Sequence, residues 1–575
     1  MSNDERPIYE SFQVTHHLYA GEYPGDKDKR VAAQKVQQIV SFGVRHFVDL
    51  TEEGELVPYA HLLPPGVSYH RFPIRDCDVP SSIEEAAYIV SRIYHLCTSF
   101  DGYVYLHCWG GVGRTGMMVA CYLAETMEHP TYEAVMARLR KNFSMMPKAA
   151  HRVTPDTHRQ ELFIQDYVAG VEARREQRKE LLRDSIRGCM MAGAAGDALG
   201  YPVEFMRLGQ IRSRYGMQGI RQFELSNGKA LVSDDTQMTL FTANGLLMGV
   251  TRWHMRGIGS DLADYCDGAY IDWYYTQTGE KPKPMFDNDF HYTWLRDLPE
   301  LAHRRAPGST CMSACESMMH RNKPQNDSKG CGGIMRVAPM GLFEAAHEQY
   351  SQRVLYTDLK LAEQGAQIAR KTHLHPLGYL PAAMLTLLIA QLTPLTPNQA
   401  QQHIVELIHE CLAVLEQMKE GTPKDKEYLR LITLNAIRLA KSDTSDDEAI
   451  EILGEGWVAE EAWAVSVFCA IRHIDNLREA IIAAVNHDGD SDSTGSITGN
   501  IMGAIYGYEA IRQERLFCPE GKAFEDTIEL ANLILALADD IFSGCPISEY
   551  APIDTPEKKQ WFDRYVHMQP GAFSR

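Results

Sequence analysis

The chain has 575 residues, 45% of them hydrophobic, with a formal net charge of −19. That length exceeds what one core usually serves, so at least two domains are expected, and the acidic balance argues against a general nucleic-acid binder, which needs a basic surface. The longest largely apolar segment, 380–390, is far shorter than the ~20 residues a membrane-spanning helix needs. The opening MSNDERPIYE has no basic region followed by an apolar stretch, and thirteen cysteines without CxxC pairs fit reduced thiols, so a cytoplasmic protein without membrane partners is expected. Residues 1–170 read as an α/β domain, with 104–106 a short strand and 115–127 a buried helix. Between them lies His107-Cys108-Trp109-Gly110-Gly111-Val112-Gly113-Arg114-Thr115, a CX5R arrangement. Its three glycines let backbone N–H groups converge into an anion cradle at a helix N-terminus, and Arg114 adds a planar fork for phosphate oxygens. The same field favours thiolate, so Cys108 is the expected nucleophile, with Thr115 donating to the sulfur or assisting the later hydrolysis.

These residues resemble the tyrosine and dual-specificity phosphatases. The stretch 74–80, IRDCDVP, resembles the family's WPDxxVP-type loop, which implies Asp76 as general acid with Asp78 as fallback. Residues 18–24 and 48–51 look like the family's opening strands. The cradle residues 109–113 carry no charge, which fits a singly phosphorylated target better than an inositol polyphosphate. The stretch 171–185, rich in arginine and glutamate, reads as a solvated helical connector, and 186–575 form the second domain.

In that domain Gly188, Ala192, Gly196 and Gly200 recur four apart, as do Gly495, Gly499, Gly503 and Gly507. Such spacing strips one helix face of side chains, so the two faces are expected to pack backbone to backbone. The second helix is preceded by Asn486-His487-Asp488-Gly489-Asp490-Ser491-Asp492-Ser493-Thr494, three carboxylates and three hydroxyls with no lysine or arginine among them. The stretch Ser233-Asp234-Asp235-Thr236 opens another apolar helix with more oxygen than one N-cap needs. Together the two clusters supply oxygen for a pair of hard divalent cations, an arrangement able to activate water.

Five ordered blocks from Gly188, Ser233, Ser328, Thr372 and Asn486 resemble the ADP-ribosylglycohydrolase family. The resemblance implies an all-α fold with two Mg²⁺ ions, Mn²⁺ being the alternative, on Ser233, Asp234, Asp235, Asp490, Asp492 and Ser493. It also implies a mobile-loop glutamate at Glu204 near the scissile bond. The glycine turn Ser328-Lys329-Gly330-Cys331-Gly332-Gly333 would cradle the pyrophosphate, with His373 beside the ligand or in the core. Asp197 is a partner orienting the ligands or a helix cap, and the general base has no placed counterpart. The expected protein is thus a bifunctional hydrolase that removes ADP-ribose from an acceptor, protein first, and phosphate from a phosphorylated substrate. The alternatives are a non-catalytic ADP-ribose or phosphate reader, and a metal domain acting on another glycosidic bond.

Overall fold

The structure is a computed structural model describing residues 6–99, 102–257, 259–280, 291–351 and 355–568. The first five residues of the opening decapeptide lie outside them. The chain divides into two compact units, Met1–Arg178 and Lys179–Arg575. Among the described residues no helix is long and apolar enough to cross a membrane.

The first unit is an α/β fold around a five-stranded sheet of strands β1 (Ser11–Gln13), β2 (Leu18–Gly21), β3 (Val44–Asp49), β4 (Ser68–Arg71) and β5 (Tyr103–His107). The order is β1-β2-β5-β3-β4, antiparallel only between β1 and β2. Central β5 is buried along Val104, Tyr105 and Leu106, as a parallel strand covered on both faces must be. It runs directly into the loop that begins at Cys108, and helix Gly113–Thr126 follows with every residue from 113 to 124 buried. A helix apolar on all sides has no solvent face, so strand and helix fix both ends of the loop between them.

The second unit is helical. Its long apolar helix, Pro376–Leu392, is buried over nearly its whole length. The glycine stripes do meet. A Cβ on Gly196 would lie 2.0 Å from the Gly495 carbonyl oxygen, one on Gly499 2.1 Å from that of Ala192, and one on Gly503 2.2 Å from that of Gly188. Gly507 meets the other helix too, since a Cβ on Gly188 would lie 2.6 Å from its backbone, but at φ 75° and ψ 171° it also breaks helix Ser491–Glu514, and the carboxylate of Asp184 fills the space a side chain would need. The 171–185 stretch is helical, with Glu172, Ala173, Glu176, Gln177, Lys179 and Glu180 exposed. It belongs to one helix, Val171–Gly200, whose arginines are already engaged. Arg175 donates to the carbonyl oxygens of Met127 (2.6 Å) and Glu125 (2.9 Å), Arg178 pairs with the Glu125 carboxylate, and Arg187 pairs with Asp539 (2.7 Å).

Because the clash at Gly196 is with backbone, no rotamer change relieves it. Gly196→Ala is expected to destabilise the chain by about 1–3 kcal/mol, the usual penalty of overpacking. Thermal unfolding of parent and variant in chelator measures it.

Candidate active sites

In the first unit, the loop after β5 needs Gly111 in the left-handed region (φ 72°), where an added Cβ would fall 2.4 Å from the backbone of Gly21. The loop is braced from outside: the Tyr23 N–H donates to the Trp109 carbonyl (2.9 Å) and the Thr154 hydroxyl to that of Val112 (2.8 Å). No side chain caps helix Gly113–Thr126, so its first N–H groups keep their capacity for an anion. Cys108 is buried at the floor of a cleft of about 350 Å³ that Asp76, Arg114 and Trp109 also line.

Arg114 is almost wholly buried and held by a residue that sequence reading missed. Glu55 accepts from both terminal guanidinium nitrogens, at 2.7 and 2.8 Å, and the Ile74 carbonyl accepts at 2.8 Å. Burial works against the charge, but the bond to Glu55 and the neighbouring Cys108 and Asp76 raise the guanidinium pKa all the same. Burial likewise pushes Glu55 up, and Arg114 together with the hydrogen bond from the Glu52 N–H more than offsets it. Nothing local in the sequence could have flagged a partner 59 positions away. Asp76, half-exposed, pairs with Arg114 at 2.9 Å across the mouth of the cleft. Asp78 is engaged with Arg159 (2.9 Å), outside the cleft lining, so the geometry favours Asp76 of the two candidates. The Thr115 hydroxyl is buried and makes no hydrogen bond, so the expected bond to the Cys108 sulfur is not formed. Lys148 and Arg152 line the cleft from a later segment, so an uncharged loop does not leave the cleft uncharged.

Glu55→Gln keeps the shape of this support and removes its charge. Hydrogen bonds to charged groups contribute about 1.5–3 kcal/mol, so kcat/KM for a phosphate monoester is expected to fall roughly 10–100-fold. Steady-state kinetics, with thermal unfolding to show that the fold is retained, checks it.

In the second unit, Ser233 caps helix Asp234–Arg256, its hydroxyl accepting from the Asp235 N–H (3.2 Å). Asp197 is buried behind this turn. It accepts from the Ser233 N–H (2.9 Å), the Thr236 N–H (3.1 Å) and the Thr236 hydroxyl (2.5 Å), which fixes the direction of the acidic turn. Asp490 caps helix Ser491–Glu514 through the Ser493 N–H (3.3 Å). Asp234, Asp235, Asp490 and Asp492 are all buried, and Glu204, Asp490 and Asp492 bring ligand oxygens within 4.8 Å of one another. Asp490 and Ser493 also act on Asp235, so the two turns share one space.

Among the described residues no lysine or arginine pairs with these carboxylates; Lys329, in the neighbouring turn, pairs with Glu460 (3.2 Å). One oxygen each of Asp235 and Glu204 is buried without any partner. Burial first, then mutual repulsion, pushes Glu204 up to about 9 and Asp234 to about 8, and drives Asp235 and Asp492 well above the carboxylate range. Buried like charges of this kind persist only when a cation or protons compensate them. This donor set fits divalent metal ions.

The glycine turn differs from a free cradle. The Gly330 N–H is taken by the Ser328 hydroxyl (3.2 Å) and that of Cys331 by the Trp457 carbonyl (3.2 Å), which leaves Gly332 and Gly333 as the candidate donors. The glycines have a packing reason as well: a Cβ at Gly330 would lie 3.0 Å from His373 Nε2, and one at Gly332 2.8 Å from Cys311 Sγ. His373 lies buried beneath the turn, held by the Thr372 hydroxyl (2.8 Å), and burial and then Arg336 depress its pKa to about 3. Two further residues missed by sequence reading sit beside Glu204: Phe205 stacks on Trp457, ring centroids 5.8 Å apart, while Arg207 pairs with Glu455 (2.8 Å).

Comparison with known proteins gives two matches along the chain. The family model described as ADP-ribosylglycohydrolase matches residues 178–546, and one described as Swiss Army Knife protein, DSP-PTPase phosphatase domain, matches residues 26–164. The ADP-ribosyl-(dinitrogen reductase) glycohydrolase of Rhodospirillum rubrum is 26% identical over 372 residues, 62% of this chain and 97% of its own. ADP-ribosylhydrolase ARH3 of Bos taurus is 24% identical over 237 residues, 38% of this chain and 61% of its own. Protein 067L of Invertebrate iridescent virus 3, named for a tyrosine phosphatase, is 36% identical over 124 residues, 20% of this chain. The chain spans 46% of that viral relative's length.

Proposed function

The chain belongs to the ADP-ribosylglycohydrolase family, and from that premise we propose a hydrolase with two activities: divalent-metal-dependent release of ADP-ribose from a modified acceptor, and cysteine-dependent hydrolysis of a phosphate monoester. The observation that carries the first is the set of buried carboxylates at 204, 234, 235, 490 and 492 with no basic partner among the described residues. Ser233, Asp234, Asp235, Asp490, Asp492 and Ser493 would hold two ions. Mg²⁺ suits their oxygen donors, and Mn²⁺ is the alternative. Bound ions of this kind supply Lewis-acid stabilisation and lower the pKa of water. The protein's own contribution is to hold the ligand oxygens in place, through Asp197 behind one turn and the close-packed glycine helices behind the other. Glu204 stands beside them, next to the Phe205–Trp457 stack, and would be the glutamate that approaches the scissile bond. Gly332 and Gly333 offer backbone donors to a pyrophosphate.

In the first unit, Cys108 Sγ attacks phosphorus and forms the S–P bond as the P–O bond to the leaving group breaks. Asp76 gives its proton to the leaving oxygen, and Arg114 with the loop N–H groups holds the remaining phosphate oxygens. Water then attacks phosphorus, Asp76 takes its proton, and the thiolate leaves. Phosphate binding competes with Asp76 for Arg114, which are paired at 2.9 Å, and so frees the acid as substrate arrives.

The test is mass spectrometry of products from a panel of ADP-ribosylated acceptors. Free ADP-ribose is expected with Mg²⁺ and none after exhaustive chelation; release that survives chelation would sink the metal-dependent reading.

A further inference from the structure

Nine of the thirteen cysteines are buried. Cys331 is different. It sits between Gly330 and Gly332 in a turn whose backbone is anchored twice, by its own N–H on the Trp457 carbonyl (3.2 Å) and by the bridge from Gly330 to Val458. That anchoring aims the sulfur at the acidic centre, 2.7 Å from Asp490 Oδ2, and Ser493 and Asp235 act on the same sulfur. A cysteine chosen for packing belongs among apolar groups. Here the thiol instead spends its proton on a carboxylate that already has Glu204 and Asp492 as neighbours, and S–H is a weak donor that offsets little of that charge.

Sulfur among carboxylate oxygens changes which cation a site prefers: thiolate favours borderline and soft ions such as Zn²⁺ and Cd²⁺, whereas Mg²⁺ prefers oxygen alone. We infer that Cys331 is a further ligand available to the metal position beside Asp490, so that this position, which takes Mg²⁺ through its oxygens, binds a thiophilic divalent cation through sulfur as well and holds it more tightly than an all-oxygen site would. The position nearer Ser233 and Asp234 stays all-oxygen. Ligation breaks the S–H bond, the sulfur takes up the cation and one proton leaves to solvent. This inference rests on the proposed metal centre.

The probe is Cd²⁺, followed by cadmium NMR and equilibrium dialysis on the full chain carrying Cys77→Ser and Cys108→Ser, which remove the thiols of the phosphate cleft. A resonance in the mixed sulfur–oxygen range is expected, moving to the all-oxygen range in Cys331→Ser and in Cys331→Asn. Losing a ligand should weaken Cd²⁺ at least as much as losing an outer-shell partner does, ~10–100-fold, with Mg²⁺ affinity held. An all-oxygen resonance in the starting protein, or one unmoved by either substitution, overturns the role of Cys331 while leaving the centre intact. No Cd²⁺ retained at all, or the same retention after Asp490→Asn, overturns the metal centre and the inference together.

Discussion

Cys108→Ser is expected to lower turnover of a phosphate monoester by ~10⁴-fold or more, in the range seen when a covalent nucleophile is removed, and to leave release of ADP-ribose unchanged. The serine hydroxyl fits the same volume, and the braces on the loop, from Tyr23 to Trp109 and from Thr154 to Val112, involve backbone carbonyls the substitution does not touch. The anion cradle and the Glu55-supported Arg114 therefore persist, so inorganic phosphate should bind the variant as it binds the parent. Acid quenching during turnover should trap labelled phosphate on the parent and none on Cys108→Ser. A variant that keeps a tenth of the parent rate, or parent protein that never carries covalent phosphate, would remove Cys108 from the chemistry.

What the sequence disclosed follows how far apart the interacting residues lie. The CX5R loop was readable because all its parts, the strand, the three glycines, the arginine and the buried helix, are local. Glu55, Lys148 and Arg152 reach the same cleft from distant segments, and no spacing rule marks them. The glycine stripes were readable for a related reason: a period of four on two helices is a pattern within each helix, and close approach is the one use for a bare face. At Gly507 the contact with Gly188 is accompanied by a positive φ and a break in the helix, which the spacing alone did not announce. Charge patterning at 171–185 gave a helix with an exposed face, but it could not name the ion-pair partners, Glu125 for Arg178 and Asp539 for Arg183. Oxygen-rich turns were legible as a cluster, but the direction in which Cys331 points depended on Trp457, more than a hundred residues later.

Asp235→Asn should move stability and activity in opposite directions. Its carboxylate is buried, has one oxygen without a partner, and faces Asp197, Asp234 and Asp490. Removing a ligand should reduce metal affinity and ADP-ribose release by at least ~100-fold, the upper range for loss of a mere outer-shell partner. In chelator, however, the variant should unfold at a higher temperature than the parent near neutral pH, because an amide is buried there without either bearing repulsion or having to take up a proton. The pH dependence has a definite sign. Glu204 and Asp234 titrate at about 9 and about 8 in the folded protein, raised by burial first and by their neighbours second, against ordinary values of 4.5 and 3.8. The folded state therefore binds these protons more tightly than the unfolded chain does. The metal-free parent should be most stable below about pH 4 as far as these groups are concerned, and should lose that stability as pH rises through the window up to about 9. Each tenfold difference in proton affinity between the folded and unfolded chain contributes roughly 1.4 kcal/mol to that loss. Asp235→Asn should flatten the slope. Saturating Mg²⁺ should reverse it in the parent, since the cation binds the deprotonated carboxylates. Scanning calorimetry across that window, with and without chelator, reads all three effects. A metal-free Asp235→Asn no more stable than the parent would mean that burying the Asp235 carboxyl carries no cost that a cation or proton has to offset.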